Sequence, residues 1–115
     1  MAFIEAGDLN AYLERVNLNA LTKNTITQKK QLLKEIEEIR RRRYSIDHEE
    51  NILGLACIGT PIFGWSGRLE GAISVSGDAK DIYKRIEILL PELLKTAKEI
   101  SQSMGYFPGA LGMKA

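Results

Sequence analysis

The chain has 115 residues, of which 44% are hydrophobic and 27% charged, enough for one globular domain or part of one. Its formal net charge of +1 gives no electrostatic basis for binding nucleic acid or a membrane surface. A single cysteine excludes an intrachain disulfide and is typical of a reducing cytoplasm. The first residues carry Glu5 and Asp8 and no basic leader, so we expect neither a signal peptide nor a bilayer-spanning segment.

Two helices are predicted in the first part of the chain. The first runs from Asp8 to about Val16, with apolar residues at helical spacing and Asp8 as a candidate N-cap. The second is expected to begin within residues 25–27 and to run to about Arg42. Thr25 and Gln28 form a capping-box pattern ahead of its single apolar stripe.

Three β-strands are predicted next, over 44–49, 53–63 and 68–76, and the last two form a hairpin about the turn at 64–67. Pairing of Phe63 with Arg68 would place Cys57 opposite Ser74 and Leu55 opposite Ser76. Because proline cannot donate to the ladder, Pro61 is expected at an edge, an end or a bulge.

Alternation along these strands separates two faces of the sheet. The first face is aliphatic and is predicted to be core: Ile58, Ile62, Leu69, Ile73 and Val75. The second is small and half polar, and it is typical of a pocket floor: Leu55, Cys57, Gly59, Ala72, Ser74 and Ser76.

A long third helix is predicted from Asp81 to Met104, and Gly105 is a natural stop after it. Pro91 lies inside this helix, which either kinks there or restarts with Pro91 near a first turn. We expect residues 1–106 to form one partial domain and residues 107–115 to be a flexible tail. Three strands covered by helices on one face leave the second face in need of a partner.

Several segments in this order resemble the effector-binding domain of IclR-type transcriptional regulators. They are TKNTIT at 22–27, IRRRRYSIDHEE at 39–50, GLACIGTPIF at 54–63, GAISVSG at 71–77 and ISQSMGY at 100–106. The resemblance covers nearly the whole chain except the tail.

The resemblance implies an α+β fold of the GAF/profilin-like kind, an antiparallel sheet with flanking helices, incomplete in this chain. It implies no enzymatic activity and no cofactor. Its expected partners are a small metabolite, a carboxylate or aromatic acid, and further copies of the chain in a homodimer or homotetramer. DNA would be bound only through a winged helix-turn-helix, which this sequence lacks.

The sequence departs from the family pattern in three ways. The first half of the effector domain, with the loop that closes over the ligand, has no counterpart here. Arg43 stands where the family often has Gly, and Gly59 stands where it often has Ala. The first change affects the turn before a strand, and the second adds room beside Cys57.

The resemblance carries Ser74 and Ser76 into the effector site, with Cys57 beside them, Leu55 as an apolar wall and Asp47 near the pocket mouth. Two serines at alternate positions of a strand point the same way and can both donate to one carboxylate. No catalytic residue and no metal ligand is predicted. Two alternatives remain: a small enzyme that uses Cys57, and an interaction domain without a ligand.

Overall fold

The computed structural model describes residues 1–108, so residues 109–115 of the predicted tail lie outside the described part. The helices and strands follow in the order α1 (Ala6–Arg15), α2 (Lys29–Arg42), β1 (Ser45–His48), β2 (Leu55–Phe63), β3 (Leu69–Asp78) and α3 (Ala79–Ser103). The three strands form one antiparallel sheet in the order β1-β2-β3. The predicted α+β class is therefore confirmed, with each element within a few residues of its expected bounds.

The predicted starts of both early helices were wrong. α1 begins at Ala6 after Glu5, so Asp8 lies in the first turn, where its carboxylate still favours the helix dipole. α2 begins at Lys29, because the hydroxyl of Thr25 serves the preceding loop instead of a capping box. This hydroxyl accepts from the backbone N–H of Leu21 (3.1 Å) and donates to the carbonyl of Glu50.

The hairpin turn is where it was predicted, but the strand register differs by two positions. The N–H of Gly64 bonds to the carbonyl of Arg68 at 3.0 Å, so Phe63 pairs with Leu69 rather than with Arg68. A β-bulge beyond Phe63 adds a second position, and Cys57 consequently lies opposite Ser76.

A shift of two positions keeps every residue beyond the bulge on its predicted face. Gly59, not Cys57, pairs with Ser74, and Leu55 pairs with Asp78 rather than with Ser76. Between the hairpin turn and the bulge, the register differs from the predicted one by only one position. The prediction that Leu69 lies on the core face was therefore wrong, and Leu69 lines the cavity on the other face.

The aliphatic face of the sheet packs against α3. Ala56 and Ile58 are fully buried there with Ala79, Ile82 and Leu93. α3 passes through Pro91 as one helix, so it does not restart there. It ends in a Schellman motif: Gly105 (φ +88°) donates to Gln102 and Tyr106 donates to Ser101, both at 2.9 Å.

A second hydrophobic cluster joins α1, α2 and the first residues of the chain. Its buried members are Ala2, Leu9, Leu13 and Ile36, with Phe3, Leu32 and Ile39 partly buried around them. α2 ends at Arg42, as predicted, and Arg43 follows in the left-handed conformation (φ +71°). The small-residue face of the sheet looks toward this second cluster across a cavity.

Candidate functional site

A row of three residues crosses the sheet on its small-residue face. Ser45 in β1 pairs with Gly59 in β2, and Gly59 pairs with Ser74 in β3. Paired residues of neighbouring strands share a face, so two hydroxyl groups flank a position that has no side chain. A Cβ atom at Gly59 would lie 3.3 Å from Ser45 Oγ and 3.8 Å from Ser74 Cβ.

Above this row lies a cavity of about 460 Å³, within the size range of small-molecule sites. Its floor includes Cys57, Gly59, Ala72 and Ser74, and Ser45 lies at one side. The opposite wall is apolar and comes from α2 and from the start of the chain: Leu32, Ile36, Ile39, Met1, Ala2 and Phe3. The cavity therefore combines a few polar groups on the sheet with a hydrophobic cover.

The structure brings two of the five predicted site residues into this cavity, Cys57 and Ser74. Asp47 and Ser76 lie on the same face in the next row, where both pair with Cys57. Leu55 lies one row further along. Asp47, Ser76 and Leu55 therefore lie on the same face of the sheet but do not line the cavity.

Asp47 has a defined structural role at the end of β1. Its Oδ1 accepts from the N–H of Glu50 at 2.8 Å, which closes the turn into the β1–β2 loop. The hydroxyl of Thr22 donates to the carbonyl of Glu49 at 2.6 Å and attaches the same loop to the segment before α2. The carboxylate of Asp47 thus fixes the β1–β2 loop at the end of β1, next to the small-residue face.

His48 is remote from the thiol of Cys57. His48 pairs with Ala56 and so belongs to the opposite face of the sheet. Its ring stacks on Tyr83 of α3 at a centroid distance of 5.7 Å, with Nδ1 3.3 Å from the phenol oxygen. Burial and the nearby carboxylate of Glu49 raise the pKa of Tyr83.

Within residues 1–108, the thiol of Cys57 makes one hydrogen bond, a weak one to the carbonyl of Ile58 at 3.8 Å. A nucleophilic cysteine requires an adjacent base or cation that activates it, and the imidazole of His48 is on the other side of the sheet. Among residues 1–108, no group of histidine, cysteine and carboxylate side chains is arranged to hold a metal ion. The arrangement suits hydrogen bonding to a ligand better than covalent chemistry.

Sequence reasoning missed Ser45 as a pocket residue. Its position follows from the pairing of β1 with β2, and no turn signal between these strands fixes their register in advance. The cover by α2 was also missed, because an amphipathic stripe indicates that a helix packs but not against which partner. In residues 1–108, no helix has both the length and the apolar character needed to cross a membrane.

Residues 1–102 match the family model described as "Bacterial transcriptional regulator IclR C-terminal". The chain belongs to the IclR family. An uncharacterized HTH-type transcriptional regulator of Haemophilus influenzae is 42% identical over 90 residues, which cover 77% of this chain and 34% of that protein. The DNA-binding transcriptional repressor YiaJ of Escherichia coli is 35% identical over 109 residues, or 92% of this chain and 39% of that repressor.

Solved IclR structures have the same fold. The Thermotoga maritima IclR is 40% identical with a TM-score of 0.85, over 91% of this chain and 43% of that one. The C-terminal domain of E. coli KdgR is 30% identical with a TM-score of 0.84, over 92% of this chain and 65% of that domain. The chain is therefore a portion of an IclR C-terminal effector-binding domain, and it spans about 34–39% of its curated relatives.

Proposed function

We propose that the 460 Å³ cavity binds a small carboxylic acid, aliphatic or aromatic, as the effector of an IclR-type regulator. The observation that supports this is the row Ser45–Gly59–Ser74, in which two hydroxyl donors face one open position. Cys57 adds a weak thiol donor beside the row. A carboxylate accepts several such donors at once, and the apolar wall from α2 suits the rest of the molecule.

Asp47, Leu55 and Ser76 complete the proposed site along the same face. Ser76 and Asp47 flank Cys57 in one row, so a longer ligand that leaves the cavity would meet a hydroxyl and a carboxylate there. Asp47 is suited to accept from a ligand hydroxyl, whereas Leu55 supplies an apolar surface at the far end.

The proposed mechanism is a shift in population between arrangements of an oligomer. β3 is an edge strand of the sheet formed by residues 1–108, and a long edge strand is a pairing surface for another chain. This supports assembly as a homodimer or homotetramer. Operator DNA would be held by a winged helix-turn-helix outside this chain, so we expect this chain alone to give no sequence-specific gel shift.

Isothermal titration with a panel of small carboxylic acids tests the effector site. We expect Ser74→Ala and Ser45→Ala each to weaken the binding of the best acid about fivefold, the cost of one hydrogen bond. Ser66→Ala is the matched control, because Ser66 lies in the exposed hairpin turn. Wild-type affinity in both pocket variants would contradict the proposal, and a panel without any binder would favour the ligand-free interaction domain.

A further inference from the structure

A second cavity, of about 240 Å³, lies beside β2 where β1 no longer covers it. β1 pairs with β2 only as far as Gly59, so the stretch of β2 from Pro61 to Phe63 has no strand on that side. The C-terminal part of α3 and Tyr106 enclose the space instead. Thr60 and Pro61 line both cavities, and as neighbours in a strand they point to opposite faces.

Among residues 1–108, two positively charged side chains line this second cavity, Arg43 and Lys98, and no carboxylate side chain does. Within residues 1–108 neither cation forms a salt bridge. The guanidinium of Arg43 lies 5.3 Å from the ring centroid of Phe3 and 5.8 Å from that of Phe63. Arg43 is thus held by aromatic rings, and no carboxylate of residues 1–108 pairs with it.

The backbone of Arg43 is fixed in the turn that follows α2. Its φ of +71° belongs to the left-handed region, which glycine adopts more readily than other residues. The hydroxyl of Thr60 donates to the carbonyl of Arg43 at 2.8 Å and so fixes this turn against β2. The conformation is that of a helix cap, and the N–H of Arg43 donates to the carbonyl of Ile39 at 2.7 Å.

Tyr106 supplies an unused donor at the same place. The residue is only 7% exposed, yet in residues 1–108 its hydroxyl has no hydrogen-bond partner. The hydroxyl oxygen of Tyr106 is itself accessible to solvent, and so to a ligand in the cavity. Beside it, Ser101 Oγ accepts from the N–H of Phe63 at 3.1 Å, which leaves the hydroxyl proton of Ser101 to donate.

We infer that this cavity is a second binding site, distinct from the effector cavity, for a small organic carboxylate. The carboxylate would lie between the charges of Arg43 and Lys98 and accept from the hydroxyl of Tyr106. The apolar body would rest against Phe63 and Leu94, which line the same space. These apolar walls favour an organic acid over an inorganic anion, because an organic acid has an apolar body to bury there and phosphate has none.

The test is a site-resolved NMR titration of the full 115-residue chain with benzoate as the probe. We expect the backbone amides of Ser101 and Tyr106 to shift with benzoate and to shift much less with benzamide, its neutral analogue, or with inorganic phosphate. Lys98→Gln should weaken the binding seen at these amides about fivefold to tenfold, and Tyr106→Phe about fivefold.

The matched control is Lys95→Gln, which removes the same charge from an exposed position of the same helix that does not line the cavity. Both lysines are exposed, so both variants keep the fold, and Tyr106→Phe removes one oxygen only. Equal losses in Lys95→Gln and Lys98→Gln would overturn the proposal, since they would indicate only general charge attraction. Equal binding of benzamide, tighter binding of phosphate, or shifts confined to Cys57, Gly59 and Ser74 would overturn it too.

Discussion

Ser45 and Ser74 flank Gly59 from the two neighbouring strands, so their hydroxyls face a shared gap in the sheet surface. Filling this gap should impair the proposed effector site with little loss of stability. In Gly59→Ala the new Cβ would lie 3.3 Å from Ser45 Oγ and would push that hydroxyl aside. We expect effector affinity, measured by isothermal titration, to fall about fivefold while the free energy of unfolding changes by less than about 1 kcal/mol.

Gly71→Ala is the control for the Gly59 variant. Gly71 lies in β3 on the core side of the register, and a Cβ there would meet no atom within 4 Å. Its affinity should equal that of the wild type. If Gly59→Ala also binds as the wild type does, the gap between the two serines is not part of the ligand site.

Cys57 should behave as an ordinary half-buried thiol. The only histidine, His48, is on the other face of the sheet and is engaged with Tyr83. We therefore expect iodoacetamide to alkylate Cys57 slowly at neutral pH, and an effector acid at saturating concentration to slow it further. The measurement is mass spectrometry of the intact chain over time. Rapid alkylation that the acid leaves unchanged would instead favour the cysteine-dependent enzyme.

The faces of the sheet could be predicted from the sequence, but the partners across it could not. Alternation along β2 and β3 placed Cys57 and Ser74 on one face, and that assignment depends only on odd and even positions. The exact pairing depends on how the hairpin closes at Gly64 and on one bulge, and no residue type in the sequence indicates that bulge. Because the bulge changes the register next to Leu69, the predicted face of that residue was wrong.

The start of α2 was predicted wrongly for a different reason. Thr25 has the residue type and spacing of an N-cap, but the tertiary contact of its hydroxyl with Glu50 takes that oxygen away from the helix. The sequence cannot show a competition between a local and a distant partner. By contrast, the end of α3 at Gly105 was predictable, since a left-handed residue after a helix strongly favours glycine.

Arg43 allows the backbone strain at the α2–β1 turn to be measured. Arg43→Gly removes the strain of a side chain in the left-handed conformation, but it also removes the contacts of the guanidinium with Phe3 and Phe63. The gain and the loss in the free energy of unfolding nearly cancel. Arg43→Ala removes the same contacts and keeps the strain. We expect urea denaturation to show the Ala variant about 1 kcal/mol less stable than the Gly variant.

Arg41→Ala is the control for a charge lost from the end of the same helix. Arg41 is exposed and pairs with Glu38 one turn earlier, so its removal should cost less than about 0.5 kcal/mol. Equal stability of the Gly and Ala variants at position 43 would show that the left-handed conformation is not maintained in solution.

Gly105 couples the end of α3 to the hairpin turn, and its replacement should be costly for two separable reasons. Its φ of +88° disfavours any side chain, and a Cβ there would lie 2.9 Å from Trp65 Cβ. We expect Gly105→Ala to lower the free energy of unfolding by about 2 kcal/mol, measured by urea denaturation followed by circular dichroism. Gly7→Ala, in α1 with nothing within 4 Å of the new Cβ, should instead be neutral or slightly stabilising.

A double-mutant cycle separates the backbone strain at Gly105 from the contact with Trp65. Trp65→Gly removes the Cβ that the new alanine would strike, and Trp65 is 74% exposed, so its loss alone should cost little. In the Trp65→Gly background, Gly105→Ala should therefore cost only the part that comes from its φ, about 1 kcal/mol. An undiminished cost would mean that the hairpin turn does not rest against the end of α3 in solution.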